Sequence, residues 1–148
     1  MQYQLLTLDI DGTLRPNELP AVPRENVNAG RALQKAGVRV AIATGRCRGG
    51  ISKQLIGGIR PDYWICAAGA QVLDGQDNTL YTGRMTDQQM YALVDFFENY
   101  DCFLGFNFED GPYGYVNYAQ EHERELARGV VNYIKDGEDQ VRHLDSMP

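Results

Sequence analysis

Two aspartates and a glycine–threonine pair stand together near the start of the chain, in segment 8–14, which reads LDIDGTL. Asp9 and Asp11 are two residues apart, so on an extended strand both side chains lie on one face. A carboxylate can attack phosphorus and become an aspartyl phosphate, and a second carboxylate can pass a proton to the leaving oxygen. The turn that begins at Gly12 and Thr13 can aim backbone N–H groups at an anion. The segment therefore predicts phosphoryl-transfer chemistry.

This chemistry also predicts a metal ion. Two carboxylates beside a phosphate repel it, and a hard cation held by oxygen ligands removes that repulsion. A hard cation such as Mg²⁺ is therefore the expected cofactor. A bare D-x-D pair most often only caps a turn at a strand end, so the surrounding sequence has to support the catalytic interpretation.

The surrounding elements place these residues where ligands of α/β proteins bind. Apolar runs predict buried parallel strands at 4–10, 38–44 and 63–68, with helices at 24–36 and 51–59 between them. Alternating strands and helices imply right-handed βαβ units and a parallel sheet. Ligands of such sheets bind at the carboxyl ends of the strands. Thr44, Gly45 and Arg46 follow the second strand, so we expect them beside the two aspartates.

The second half of the chain has a different sequence pattern, with shorter elements in which apolar and polar residues alternate more often. A short strand is expected at 80–85, and Thr86 with Gln89 forms a capping-box signature that opens a helix with Met90, Leu93, Val94 and Phe97 inward. Segments 102–108 and 113–118 predict a hairpin. A helix at 120–135, with Ala127, Val130, Val131 and Ile134 inward, and a strand at 140–144 complete the pattern. The predicted organisation is an α/β portion at 1–83 followed by an α+β portion at 84–148.

Composition excludes several classes of protein. The 148-residue chain has a formal net charge of −6 and no run of Lys or Arg, which argues against a nucleic-acid partner. No apolar stretch reaches the roughly 20 residues that a membrane helix needs, so no membrane partner is expected. Three widely spaced cysteines favour neither a zinc site nor a disulfide framework and suit a cytoplasmic protein.

The two motifs together resemble those of the haloacid dehalogenase (HAD) superfamily. D-x-D-G-T-L resembles its first motif, and the apolar strand that ends at Thr44 resembles its second. Segments 38–46 (VRVAIATGR) and 63–72 (YWICAAGAQV) look like the Cof-type branch, subfamily IIB, in which a C2-type α/β cap follows the third core strand. The resemblance implies an α/β fold: a partial Rossmann-like HAD core with a parallel sheet at 1–83, and a partial α+β cap domain at 84–148.

The resemblance also implies roles for the two aspartates. Asp9 is expected to be the nucleophile and a magnesium ligand. Asp11 is expected to be the general acid and base, with its backbone carbonyl on the metal.

The phosphate-binding residues follow from the same resemblance. The backbone amides of Gly12 and Thr13 are expected to hold the phosphoryl group, and Thr44 with Gly45 to bind a phosphate oxygen. Arg46 is expected either to contact substrate or to be a solvated surface side chain.

Two departures from the family pattern matter. Where the family usually has an Asn after the third strand, this chain has Ala67, Ala68 and Gly69. The third-motif Lys and the acidic fourth-motif loop do not occur in this sequence, as in a chain truncated before those motifs, and Lys135 is not expected to replace that Lys.

The expected function is a Mg²⁺-dependent phosphatase acting on a small phosphorylated metabolite, a sugar phosphate above all, through an aspartyl phosphate. The 148-residue chain alone is expected to be inactive or weak, and either to self-associate or to need a second polypeptide. Two alternatives stay open at this point: a non-catalytic remnant that serves as a binding module, and a phosphosugar mutase.

Overall fold

The structure, a computed structural model, describes residues 3–129, 133–137 and 148. The chain divides into two compact units, Met1–Gly83 and Arg84–Pro148, and each has its own hydrophobic core. None of the helices among the described residues has the length and apolar character to cross a membrane.

The first unit is built on a five-stranded sheet whose strands lie in chain order. Its strands are β1 (Leu5–Leu8), β2 (Arg39–Ala43), β3 (Tyr63–Cys66), β4 (Gln71–Asp74) and β5 (Thr79–Thr82), and helix α1 (Arg24–Lys35) connects β1 to β2. The first three strands are parallel, and the last three are joined by antiparallel pairings. The predicted α/β class with a parallel sheet is confirmed, and β4 is a strand that the sequence analysis did not predict.

The core of the first unit gathers residues of the sheet, α1 and the loops around it. Ile42, Trp64 and Leu73 come from three neighbouring strands, and Val27 comes from α1. Parallel strands joined by helices or loops are covered on their faces by those connections, which explains the apolar runs. The core thereby fixes the strand ends that carry the candidate site.

The segment between β2 and β3 differs from the predicted helix at 51–59. A short 3₁₀ turn spans Arg48–Gly50, and residues 53–58 form successive turns. Gly57 and Gly58 have φ of +60° and +77°, which an α-helix does not allow. A Cβ on Gly57 would lie 2.7 Å from Cγ2 of Val27, so close packing on α1 requires glycine there. The spacing of apolar residues in this segment correctly indicated that it packs on the core, but its backbone forms turns and not a helix.

Strand β1 is an edge strand, which also departs from the prediction of a strand buried on both faces. It pairs with β2 alone among the described strands, and Leu5 is 50% exposed. Thr7, two residues further on, is exposed as well. An apolar edge with unpaired backbone groups is open to pairing with another strand.

The second unit begins with the predicted capping box. Helix α2 (Asp87–Phe97) has Thr86 as its N-cap, whose hydroxyl accepts a hydrogen bond from the Gln89 N–H at 3.2 Å. The Gln89 side chain in turn accepts from the Thr86 N–H at 3.0 Å. Met90 and Val94 are buried on the helix face predicted to point inward.

A three-stranded sheet and a second helix complete this unit. Strands β6 (Leu104–Phe108) and β7 (Gly111–Val116) form the predicted hairpin, and β8 (Lys135–Asp136) pairs parallel to β7. Helix α3 (Tyr118–Ala127) lies between β7 and β8 in the chain. The unit is an α+β assembly, and its identity as a cap domain stays a prediction.

The end of α3 differs from the predicted helix at 120–135. The helix stops at Ala127, and Gly129 follows in the left-handed region with φ of +76°, as at many helix ends. Ala127 is exposed, whereas Glu125 is buried and accepts a hydrogen bond from the Ile134 N–H at 3.4 Å. Val130 and Val131, like the strand predicted at 140–144, lie outside the described residues.

Lys135 therefore belongs to a strand and not to a helix end. Its ammonium group donates to the carboxylate and the carbonyl of Asp110, at 3.0 and 2.9 Å, and to the Tyr113 hydroxyl at 3.2 Å. These three bonds use all three donors of the ammonium group, in keeping with a structural role inside the second unit.

Candidate active site

The candidate site lies where β1, β2 and β3 end at the same edge of the sheet. Asp9 is the first residue after β1, and Thr44 is the first after β2. The register pairs Leu8 with Ile42, so these strand ends are neighbours in the sheet. Asp9 is exposed, and no described residue makes a hydrogen bond or ion pair to its carboxylate. An accessible, uncommitted carboxylate is the form in which a nucleophile is useful.

Asp11 is the most strongly held side chain of the site. The Arg46 guanidinium grips its carboxylate with two nitrogens, Nε to Oδ2 at 2.8 Å and Nη2 to Oδ1 at 3.2 Å. Arg15 donates from Nη2 to the same Oδ1. Forked contacts of this kind are among the stronger polar interactions in proteins. Arg46 thus ties the turn after β2 to the turn after β1.

Arg15 is a site residue that the sequence analysis missed. Besides Asp11, it donates from Nη1 to the carbonyl of Leu19, and its side chain is largely buried. Arg15 lies four residues after Asp11 in a loop. Because the loop is neither helix nor strand, the spacing of the two residues does not predict that their side chains meet. Only the tight turn, in which the Arg15 N–H donates to the Ile10 carbonyl at 2.8 Å, brings them together.

The two guanidiniums change the acidity of Asp11. The hydrogen bond from Arg46 is the main cause that holds the pKa of Asp11 below its usual value, and the bond from Arg15 acts in the same direction against the opposing effect of burial. A depressed folded-state pKa contributes stability above the unfolded pKa of about 3.9. That stability is lost as the pH falls through the folded-state pKa.

Arg46→Met is expected to raise the pKa of Asp11 toward the ordinary range, because it removes the main interaction that favours the carboxylate. The variant should also lose less stability than the wild type on acidification below about pH 4. Carboxyl ¹³C NMR titration of Asp11 measures the pKa. The matched control is Arg48→Met, since Arg48 pairs with Asp77 and not with Asp11. An unchanged Asp11 titration in Arg46→Met would show that the contact is weak in solution.

The turn at Gly12 and Thr13 is tighter than a free anion-binding turn. Gly12 has φ of +79°, a conformation that favours glycine. Its N–H donates to the Arg15 carbonyl at 2.8 Å, whereas the Thr13 N–H reaches the Ile10 carbonyl only at 3.4 Å. The turn itself thus uses the Gly12 donor, and the binding of a phosphate by this amide stays a prediction. The Thr13 amide is the less committed of the two.

Thr44 and Gly45 differ in their surroundings. Thr44 is 6% exposed, and its hydroxyl oxygen accepts a hydrogen bond from the Arg46 N–H at 3.2 Å. The hydroxyl proton stays available for an acceptor such as a phosphate oxygen. Gly45 is exposed, and a Cβ at this position would meet no atom within 4 Å. Space alone does not require glycine at position 45.

The turn after β3 carries the two alanines that stand where the family usually has an Asn. Ala67 and Ala68 have φ of +48° and +54°. Their N–H groups donate to the carbonyls of Arg46 and Thr44, at 2.9 and 3.1 Å. Alanine is strained in this region by roughly 1–2 kcal/mol, whereas Asn and Gly tolerate it. The turn thus supports the backbone of residues 44–46 at a cost in strain.

Ala67→Gly is expected to stabilise the protein by about 0.5–1 kcal/mol, since glycine relieves the strain but gains freedom in the unfolded chain. The free energy of unfolding in urea measures the effect. Ala70→Gly is the matched control, because Ala70 has an ordinary helical conformation with φ of −69°. That variant should be destabilised. Equal effects of the two substitutions would contradict the strain at Ala67.

Other polar candidates have structural surroundings. Cys66 is fully buried in the core, and burial raises the pKa of its thiol to about 11. Cys47 is buried as well. The His122 ring stacks on Tyr118 with ring centroids 5.5 Å apart. Within 3–129, 133–137 and 148, no cluster of three metal-ligating side chains occurs.

The donors available for Mg²⁺ are the Asp9 carboxylate and the Asp11 carbonyl. Both are hard oxygen ligands, the type that Mg²⁺ selects. The Asp11 carboxylate is occupied by the two arginines, so its backbone carbonyl is the oxygen left to face a cation. Mg²⁺ usually keeps several waters and binds through one or two carboxylates plus substrate phosphates. The donors fit the ion in type, and they would be part of its shell.

The model of the haloacid dehalogenase-like hydrolases matches residues 6–145, nearly the whole chain. The chain belongs to the haloacid dehalogenase-like hydrolase family. None of the curated proteins matches it.

Solved structures of haloacid dehalogenase-like proteins share this fold. One is a phosphatase of the haloalkanoate (HAD) enzyme superfamily from Bacteroides thetaiotaomicron, with a TM-score of 0.74, 18% identity, and coverage of 90% of this chain and 49% of that one. Another is a haloacid dehalogenase-like hydrolase from B. subtilis, with a TM-score of 0.71 and 25% identity. That match covers 84% of this chain and 44% of the B. subtilis chain. A third is a HAD subclass IIB sugar phosphatase, with a TM-score of 0.71 and 24% identity. That match covers 90% of this chain and 52% of the sugar phosphatase chain. The chain thus spans about half the length of these haloacid dehalogenase-like relatives.

Proposed function

We propose that this chain serves the hydrolysis of a small phosphorylated metabolite, a sugar phosphate above all, with Mg²⁺ and through an aspartyl phosphate on Asp9. The observation that carries the proposal is the arrangement of side chains at the neighbouring ends of β1 and β2. An exposed Asp9 follows β1, and Asp11 beside it is gripped by Arg46 from the turn after β2. The likeness to phosphatases, one of them a sugar phosphatase, supports the substrate class.

In the first half of the reaction, a carboxylate oxygen of Asp9 attacks phosphorus and the ester oxygen leaves. Asp11 supplies the proton that the leaving oxygen needs. In the second half, Asp11 takes a proton from water, which attacks the aspartyl phosphate and frees Asp9. Bound Mg²⁺ would offset the negative charge of the phosphoryl group and of Asp9.

The arginine contacts favour one protonation state of Asp11. Arg46 and Arg15 hold the pKa of Asp11 low, so the side chain in this structure is a carboxylate, the form that accepts a proton. Donation to a leaving group needs the other form. A phosphate that draws Arg46 toward itself would weaken the grip on Asp11 and let it bind a proton. Arg46 would then serve substrate binding, one of the two roles expected for it.

The test of the proposal is phosphate release from a panel of hexose and pentose phosphates, with Mg²⁺ and with EDTA. Metal-dependent release of inorganic phosphate supports it. Quantitative conversion of a hexose 1-phosphate to its 6-phosphate, without phosphate release, would instead identify a mutase. Release that is unaffected by EDTA would contradict the Mg²⁺ requirement.

Thr44→Val is expected to weaken phosphate binding by about 1–3 kcal/mol, the scale for a lost hydrogen bond to a charged group. The substitution removes the hydroxyl at nearly constant volume. Competition by orthovanadate or phosphate measures the change. A melting curve is the control, because the hydroxyl also accepts from the Arg46 N–H. Unaltered phosphate and vanadate binding would leave Thr44 with a structural role only.

A binding module without turnover is the second candidate. The observation in its favour is the small donor set for Mg²⁺: within the described part of the chain, no three metal-ligating side chains gather. A protein that binds orthophosphate at this site, but releases none from any ester, would be such a module.

A further inference from the structure

The first unit has a concave site at the end of the sheet opposite the candidate active site. It is a cleft of about 830 Å³, lined in part by Pro61 and Gly75. Pro61 lies just before β3 and Gly75 just after the antiparallel β4, so both mark the amino end of β3. Asp9 and Thr44 lie at the carboxyl ends of β1 and β2. The cleft is therefore separate from the phosphatase site proposed above.

The lining of this cleft is strongly cationic in a chain of net charge −6. Four positive side chains line it, with Asp77 as the one carboxylate among the lining residues; the four are Arg31, Arg48, Lys53 and Arg60. Asp77 is already paired with Arg48, Oδ1 to Nε at 2.8 Å and Oδ2 to Nη2 at 3.0 Å. Across the described residues, no ion pair involves the other three cations. Like charges gathered without carboxylate partners are a repulsive arrangement that an anion would relieve.

The framework of the cleft is well supported. Trp64, only 3% exposed, forms part of the floor, and the Arg48 guanidinium lies over its ring at 4.4 Å from the centroid. Arg31 donates to the Gly58 carbonyl at 3.3 Å. The Gln34 amide donates to the Arg60 carbonyl at 2.8 Å and so anchors the backbone that carries that arginine. Arg31, Arg48 and the backbone at Arg60 are thus each held by a contact within the first unit.

We propose that this cleft is a binding site for a small condensed phosphate, a ligand with two or more linked phosphate groups. The three cations without an ion pair come from separate segments: Arg31 from α1, Lys53 from the turns before β3, and Arg60 from the position before Pro61. A ligand that engages all three needs several charged groups along its length. Because Arg48 covers the Trp64 ring, the floor presents a guanidinium where a nucleobase would otherwise stack.

Trp64 is the only tryptophan of the chain, so its fluorescence reports on this cleft directly. The probe is inorganic tripolyphosphate, titrated into the 148-residue protein in EDTA, with isothermal calorimetry as the second measurement. We expect saturable binding that weakens as salt is added. The triple variant Arg31→Gln, Lys53→Gln, Arg60→Gln should lose at least about tenfold in affinity. Orthophosphate should bind more weakly than tripolyphosphate.

Two variants distinguish binding in this cleft from binding elsewhere on the chain. Lys35→Gln makes the same kind of charge change on α1, at a residue that does not line the cleft, and should keep the wild-type affinity. Asp9→Asn should also keep it, which places binding outside the candidate active site. The proposal is overturned if calorimetry detects no binding, if the triple variant binds as well as the wild type, or if orthophosphate binds as tightly as tripolyphosphate.

Discussion

In the catalytically active protein, Asp9→Asn is expected to abolish hydrolysis of phosphate esters, with a loss of at least about 10³-fold, the scale on which removal of a nucleophile acts. An amide oxygen cannot form the aspartyl phosphate, and no neighbouring carboxylate can take over. Asp11 is held by Arg46 and Arg15 and faces them with both oxygens. The fold should persist, because the exposed Asp9 side chain has no partner among the described residues.

Steady-state phosphate release and ¹⁹F NMR of a beryllofluoride adduct measure the two consequences. The adduct mimics the aspartyl phosphate, so its signal should appear in the wild type and be missing in Asp9→Asn. Asp95→Asn, the same substitution on the exposed side of α2, is the control and should behave as the wild type. Substantial turnover in Asp9→Asn would remove Asp9 from the nucleophile's role.

The 148-residue polypeptide by itself is expected to be a poor catalyst. This sequence has neither the third-motif Lys nor the acidic loop of the family pattern, and the described residues leave Mg²⁺ with only part of a shell. Preorganised charge is commonly the largest catalytic contribution, and one lost donor costs about 10²–10³-fold. Turnover of an aryl phosphate with Mg²⁺ should therefore be low or undetectable. Ordinary phosphatase turnover would show that other residues supply these functions.

The same polypeptide is expected to self-associate, or to pair with a second polypeptide, along β1. The strand has a single described neighbour, and Leu5 is half-exposed at its start. Light scattering measures the mass, and Leu5→Lys should shift it toward the monomer, because charge on an edge strand opposes pairing.

Leu80→Lys is the matched control for this edge. Leu80 lies on β5, the strand at the other end of the same sheet, and is 57% exposed. If Leu80→Lys dissociates the assembly and Leu5→Lys does not, β5 is the edge that pairs. A monodisperse monomer of the unmodified chain would rule out self-association through either edge.

The elements with continuous apolar runs were the predictable part of the fold. The apolar run at 38–44 predicted a buried strand, which is β2, and the position of Thr44 at its end follows from that. The capping box at Thr86 needs contacts within one turn of helix, so local sequence is sufficient for it. The strand at 5–8 was also found, but its exposure depends on which strands flank it, which no local pattern records.

The missed features depend on contacts between segments distant in sequence or on loop geometry. The segment at 51–59 has helical spacing of apolar residues, yet Gly57 packs against Val27 and takes a conformation outside the helix. Arg15 reaches Asp11 only because the chain turns sharply between them. Gly129 is different: glycine at a helix end is a local signal, and it would have shortened α3 correctly.

The balanced charge at the strand ends has a kinetic consequence. Asp9 and Asp11 with Arg15 and Arg46 amount to zero formal charge, while the chain as a whole carries −6. In the metal-free protein, a phosphate dianion that diffuses toward the strand ends meets no local attraction to outweigh the long-range repulsion. Dissolved salt shortens the reach of that repulsion to about 8 Å at physiological ionic strength. Encounter with substrate should therefore become faster as salt is added, the reverse of the behaviour of enzymes that draw anions in through a positive funnel.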